Sequence, residues 1–358
     1  MSTETALQKE TRIYYWDNIK GFLILLVVFA HILYQLQDIS KGIDATVNGI
    51  YLFHMPAFVF VSGYFGKSEN SRSFKGIIKW VFLFYIFNSI TVFIRYRHGF
   101  TSLTEPIFSY WYLIALVVWR LTAHHIAKFR TINIILFAVS LFIGFFPSID
   151  NHFAVARTIG FYPFYMMGYK LSETESSNLI KKGFLERLCT GIAFLLCSAL
   201  LALGTTVILG FPDGIFKLEP YIDLSDLLRR FVFYSVAFLA IFALRLLTPD
   251  RKIPLITMFG RNSLYIFILH RLFTIWLSQL ICSFPVPAIF AISVLGTMVL
   301  CSAFGNNLVA GIISRFVSSG TSIFSNEEKK LNVSIIVAIA VAVGFIVLAL
   351  IRAFSDMF

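Results

Sequence analysis

Charge is scarce in this chain. Only 14% of its 358 residues are charged, against 58% that are apolar, and the mean hydropathy is +0.80. That shortage excludes a water-soluble globular domain, which needs far more polar material to cover its surface; a bilayer imposes no such need. Acidic residues are scarcer still, 19 against 30 lysines and arginines, for a net charge of +11. In a soluble protein that balance would point to nucleic acid. Here the 40 phenylalanines sit in apolar spans, apart from the basic residues, so a nucleic-acid partner is excluded and the bilayer takes its place. Cysteine is limited to Cys189, Cys197, Cys282 and Cys301, all in apolar stretches without metal-ligand or disulfide spacing, which makes them packing residues and calls for no metal. The chain shows no internal repeat, low-complexity tract or soluble domain. The first apolar run follows about twenty polar residues and ends without a small-residue cleavage site, so it reads as a signal anchor.

What is present is a series of about eleven apolar stretches of membrane length. They run approximately 20–37, 49–66, 77–95, 109–121, 132–147, 155–171, 188–209, 229–247, 258–281, 286–305 and 333–352. Pro147 and Pro163 interrupt or end their helices. The predicted fold is an all-α polytopic bundle of about 10–11 transmembrane helices. With the N-terminus in the cytoplasm, inside loops collect Lys67, Arg72, Lys75, Lys79, Lys128, Arg130, Lys181, Lys182, Arg251, Lys252, Lys329 and Lys330. Outside loops then hold mainly Lys41, Arg95, Arg97 and Lys217. This asymmetry sets the orientation by the positive-inside rule. The chain is expected to form one integral-membrane domain over 1–358, with a cytoplasmic N-terminal segment at 1–19 and a cytoplasmic loop at 306–332.

The organising stretch is Asp17 to Gln35, DNIKGFLILLVVFAHILYQ. Lys20 and His31 are eleven positions apart, so on a helix they return to within about 20° of one face, about 16 Å apart along the axis. Ile24 and Val28 fill the stripe between them and Gln35 continues it. Lys20 lies at the cytoplasmic mouth, and His31 about 9 Å from the outer end of its helix. His54, entering on the next helix from outside, lies about 8 Å below the same surface. Arg157 starts the sixth span from that side, and His270 and Arg271 lie near the middle of the ninth. Ionisable groups inside a membrane are costly enough to suggest function.

Each of these residues also has a structural reading. His31 can be a packing histidine bonded to a neighbouring carbonyl, and Asp17 and Lys20 can be interfacial residues that snorkel. Pro56 can kink the second helix. Ser62-Gly63 can permit close helix packing. Arg261-Asn262 can anchor the ninth helix, and Trp111-Tyr112 can belong to an interfacial aromatic belt.

The run Asp17-Asn18-Ile19-Lys20-Gly21 leading to His31 resembles the first helix of the membrane-bound acyltransferase family 3, with its basic residue, ten residues, then histidine. The resemblance is greatest to the fucose 4-O-acetylase-like branch. It continues in family order through FHMPAFVFVSGYF at 53–65, YWYLIAL at 110–116, RTIGFYPFYMMGY at 157–169 and GRNSLYIFILH at 260–270. The basic position is lysine here, where arginine is also common; charge is kept and the bidentate phosphate grip is lost. Some relatives carry a fused extracytoplasmic hydrolase-like domain that this chain does not contain.

The resemblance implies O-acyl transfer, usually of acetyl from cytoplasmic acetyl-CoA, to a hydroxyl of a cell-surface or lipid-linked glycan in a bacterial plasma membrane. His31 is then the candidate base or acyl carrier. His54 would orient His31, hold the acceptor or carry a second proton, and Arg157 would stabilise the oxyanion or bind the acceptor. Asp17 and Lys20 are candidates for holding the donor, and Ser62, His270 and Arg271 for holding substrate. Two other classes stay open: a transporter or flippase for a glycan-related or anionic substrate, for which buried histidines and arginines also serve, and a non-catalytic partner in glycan assembly. The acceptor's identity and the oligomeric state stay open as well.

Overall fold

In the computed structural model, which describes residues 14–96, 105–147 and 154–325, the chain is helical, with no strand among the described residues. The first half runs α1 (Tyr14–Leu33), a 3-10 turn (Tyr34–Leu36), α2 (Lys41–Tyr51), α3 (His54–Phe65), α4 (Glu69–Arg72), α5 (Phe74–Tyr96), α6 (Trp111–Ile126), α7 (Ile132–Phe142), α8 (Val155–Gly160) and α9 (Tyr162–Lys170). The second half runs α10 (Glu173–Lys181), α11 (Phe184–Leu209), α12 (Asp213–Lys217), α13 (Ser225–Leu247), α14 (Pro254–Arg261), α15 (Ser263–Ile281), α16 (Val286–Phe304) and α17 (Asn307–Ser325).

Among the described residues, seven stretches are long and apolar enough to cross a membrane: Tyr14–Leu36, Lys41–Phe65, Phe74–Phe93, Phe184–Leu209, Ser225–Leu247, Ser263–Ile281 and Val286–Phe304. Ile132–Phe145 adds a shorter apolar helix. The protein is therefore an all-α, polytopic membrane protein. Three of the expected spans are each divided in two. The second breaks at Leu52–Phe53, where Pro56 has no N–H to donate and its ring crowds the Leu52 carbonyl four residues back. The sixth breaks between α8 and α9, and the ninth at Asn262. The segment 306–332, expected as a loop, contains α17 over its described part. The expected span 333–352 and Arg97 lie outside the described residues.

The helix α1 is the axis of the molecule, packing against α2, α3, α14, α15 and α16. Leu23, Ile24, Val27, Val28 and Ile32 are accordingly all buried. By contrast α11 touches chiefly α13 and leaves Leu196, Leu200, Leu203, Val207 and Ile208 exposed, an apolar face suited to lipid and not to water. Its first turn is tied down by Arg187, which donates from Nε to the Leu246 carbonyl at 3.0 Å and from Nη2 to that of Thr248. A cation placed there satisfies the last carbonyls of α13. Beside it, Ser172 and Glu175 close a capping box at the start of α10, and the Ser172 N–H holds the Glu175 carboxyl below its ordinary range.

Several motif residues turn out to be fasteners. The Asn18 amide donates to the carbonyls of Pro249 at 2.9 Å and Arg251 at 2.8 Å, while its oxygen accepts from the Thr257 hydroxyl at 2.7 Å. This binds α1 to the turn before α14. Asn262 donates to the Gly305 carbonyl at 2.7 Å and so fixes the α16–α17 corner. Between α3 and α9 the backbones touch: a Cβ on Gly63 would lie 2.0 Å from the Tyr165 carbonyl oxygen, and one on Gly168 1.9 Å from that of Phe60. The packing reading of Ser62-Gly63 is the one the glycine fulfils.

Candidate active site

The site assembles from α1, α2, α3, α8 and α15, and specific bonds hold α1, α8 and α15 in register. The Ser278 hydroxyl donates to the Ile32 carbonyl at 2.7 Å and locks α15 against α1 one residue beyond His31. The Tyr110 hydroxyl donates to the Ile268 carbonyl at 2.9 Å, two residues before His270. The helix α8 is fixed by the Trp119 indole donating to the Thr158 carbonyl at 2.8 Å and the Tyr234 hydroxyl donating to that of Gly160 at 2.6 Å. Arg157 is positioned by these two anchors.

At the centre, His31 Nδ1 and His270 Nε2 are 2.7 Å apart. The rings are within 6° of parallel with centroids 5.0 Å apart, the separation expected of imidazoles joined edge to edge through that bond and not lying face on. His270 Nδ1 lies 3.0 Å from the Ile266 carbonyl. His54 stands perpendicular to His31, centroids 6.4 Å apart, with its Nδ1 2.8 Å from the Ile50 carbonyl at the end of α2. Tyr51 closes the group, its ring 6.1 Å from His31 and 4.8 Å from His54.

His31, His54 and Tyr51, though not His270, border a cavity of about 550 Å³ at the end of α1 away from Lys20. Its lining includes His31, Tyr34, Tyr51, His54, Trp111, Arg157 and Phe161, together with Glu105, Phe108, Lys217 and Arg271. Arg157 donates from Nε to the Lys217 carbonyl at 3.1 Å and faces the Trp111 ring at 5.8 Å. The Arg271 guanidinium lies 4.3 Å from the Phe108 ring centre, and the Lys217 ammonium 5.6 Å from that of Tyr34. Among the described residues that line the cavity, three cations stand against one carboxylate, that of Glu105, a balance that favours negative charge, whether on a ligand or developing in a reaction.

Thus His31, His54, Arg157 and the neighbours His270 and Arg271, expected from four separate spans, are brought together. Asp17, Lys20 and Ser62 lie elsewhere. Lys20 pairs with Asp17 at 3.0 Å and rests over the Phe65 ring at 5.2 Å, at the opposite end of α1. Ser62 shares a hydrogen bond with the Tyr112 hydroxyl. Sequence reasoning missed Tyr34, Tyr51, Glu105 and Phe108, and it read Trp111 as interfacial belt. Nothing in an apolar stretch distinguishes an aromatic that lines a cavity from one that faces lipid.

The family model described as "Acyltransferase domain" matches residues 13–305, and the chain belongs to that acyltransferase family. It is similar to the nodulation protein NolL of Mesorhizobium japonicum, 27% identical over 180 residues, which cover 44% of this chain and 47% of that protein. The nodulation protein NolL of Sinorhizobium fredii is 27% identical over 211 residues, covering 50% of this chain and 55% of that protein. The chain spans about half the length of these curated relatives. No solved structure matches it.

Proposed function

We propose that the protein is an O-acetyltransferase of a bacterial plasma membrane, moving acetyl from cytoplasmic acetyl-CoA to a hydroxyl of a cell-surface or lipid-linked glycan. The observation that carries this reading is His31: an intramembrane histidine hydrogen-bonded to a second histidine, on the wall of a cavity that also presents Arg157. Membership of an acyltransferase family supports the reaction class.

The chemistry asks for a base, an oxyanion stabiliser and a shaped acceptor site. His31 takes the proton of the acceptor hydroxyl as its oxygen attacks the thioester carbonyl. Arg157 offsets the negative charge that develops on the carbonyl oxygen. His54 orients the hydroxyl, and Arg271 lines the same cavity. The rings of Trp111, Tyr34 and Tyr51 supply flat apolar faces of the kind that pack against sugar rings, within a volume typical of small-molecule sites. Lys20, oriented by Asp17, is the point of contact for donor phosphate at the cytoplasmic mouth.

The test is release of CoA from labelled acetyl-CoA by the purified protein in detergent, with and without simple sugars, for wild type and His31→Ala. Binding by both proteins and release by the wild type alone supports the reading. Substrate movement across a vesicle membrane without acetyl transfer would support a transporter instead, and absence of acetyl-CoA binding would remove the donor assignment.

A further inference from the structure

We propose that His270 is a positioning residue that decides which nitrogen of His31 does the chemistry. The inference rests on the reading of the protein as an acyltransferase acting through His31.

The proton placement follows from the acceptors at the end of the chain of hydrogen bonds. A carbonyl oxygen has no hydrogen to give, so the 3.0 Å contact of His270 Nδ1 with the Ile266 carbonyl puts the hydrogen on Nδ1. In the neutral ring Nε2 then has only a lone pair. Its partner at 2.7 Å, Nδ1 of His31, must be the donor. A neutral His31 that carries its hydrogen on Nδ1 has its basic lone pair on Nε2. The backbone of α15 thus dictates, through His270, the tautomer of a side chain on α1, and the edge-to-edge, nearly coplanar rings keep the bond straight. His54 is held in the same tautomer by the Ile50 carbonyl at 2.8 Å, without an intervening ring.

The reaction then balances without further groups. His31 Nε2 accepts the hydroxyl proton as the acceptor oxygen bonds to the thioester carbon. The imidazolium that forms is stabilised because its Nδ1–H already points at the His270 lone pair. The C–S bond breaks with its electron pair on sulfur, and His31 Nε2 returns the proton to the leaving thiolate, giving ester and free CoA thiol. His270 touches none of the reacting atoms. Its effect is to hold the base in one tautomer and one rotamer, as a fixed acceptor does for other catalytic imidazoles.

The experiment compares wild type, His270→Leu, His270→Gln and His31→Ala by CoA release from acetyl-CoA in the presence of a simple hexose, reading kcat and KM separately. Elution profile and thermal midpoint in detergent monitor folding. Removing the acceptor with His270→Leu is expected to lower kcat about 100-fold while KM for acetyl-CoA stays within about threefold. His270→Gln places an amide oxygen where Nε2 stood, so it still accepts from His31 and is expected to keep at least about a tenth of wild-type kcat. A folded His270→Leu protein with wild-type kcat would overturn the proposal, as would equal loss in the leucine and glutamine variants or a loss confined to KM. An active wild type with an unaffected His270→Leu variant sinks only this inference. A wild type that releases no CoA sinks the acyltransferase reading and the inference together.

Discussion

Asp17 and Lys20 sit one turn apart on α1 with carboxylate and ammonium 3.0 Å apart, and Asp17 is only 6% exposed. The acid is therefore a holder for the base and not a second free ligand. In the proposed function Lys20→Glu sets two carboxylates side by side where donor phosphate would bind. Its main effect should be a rise in the KM for acetyl-CoA. A lost charge-assisted contact of about 1.5–3 kcal/mol corresponds to roughly 10- to 150-fold. Steady-state titration of acetyl-CoA checks this, and a change confined to acceptor affinity would contradict the assignment.

His31→Ala should lower turnover by about 10³-fold, the middle of the range that a positioned general base contributes. His31 borders an existing cavity, so the truncation opens no new void inside close packing, and yield and elution volume should match wild type. CoA release under saturating donor is the measurement. Undiminished turnover would remove His31 from the chemistry.

The α3–α9 contact predicts a stability effect remote from the cavity. Gly63→Ala or Gly168→Ala drives a methyl to about 2 Å from a carbonyl oxygen of the opposing helix, and backbone atoms there cannot swing aside. The helices must part, at an expected cost of about 1–3 kcal/mol or more. Gly49→Ala on α2 meets nothing within 4 Å and serves as the control, with a midpoint equal to or slightly above wild type. Thermal melts in one detergent compare all three.

Asn18→Leu should loosen the turn before α14. The side chain is fully buried and serves two carbonyls and the Thr257 hydroxyl, so its loss strands groups that each cost about 1–3 kcal/mol when unsatisfied. Limited trypsin digestion should then cut after Arg251 several-fold faster than in wild type, with a lowered midpoint. Equal cleavage rates would show that the turn is held by other contacts.

Much of the architecture was legible because hydropathy is a local property. Twenty apolar residues announce a helix wherever they lie, and Pro56 announces an interruption near its own position. Where the helices end was partly legible: Pro163 marks the division between α8 and α9, whereas the one at Asn262 goes with a hydrogen bond to a distant segment, Asn262 to Gly305. The site was half legible. Ionisable residues in apolar stretches stood out, so His31, His54, Arg157, His270 and Arg271 could be named. Tyr51 and Trp111 could not be, because an aromatic residue looks the same in a cavity wall, a packed interface or a lipid-facing stripe.

By itself the sequence determined that the chain is a helical membrane protein and that Lys20 and His31 share one stripe of one helix, since composition and the period of the α-helix settle both. Only the tertiary structure decided that His31 meets His270, 239 positions away, and that Lys20 stays at the other end of α1 with Asp17. The physical reason is the solvent. In water, a helix that must hide one face writes that face into its pattern; in a bilayer, lipid and protein neighbours are both apolar, so the pattern does not say which side packs inward. That choice was made by glycine contacts, by buried hydroxyls reaching carbonyls on other helices, and by the two imidazoles themselves.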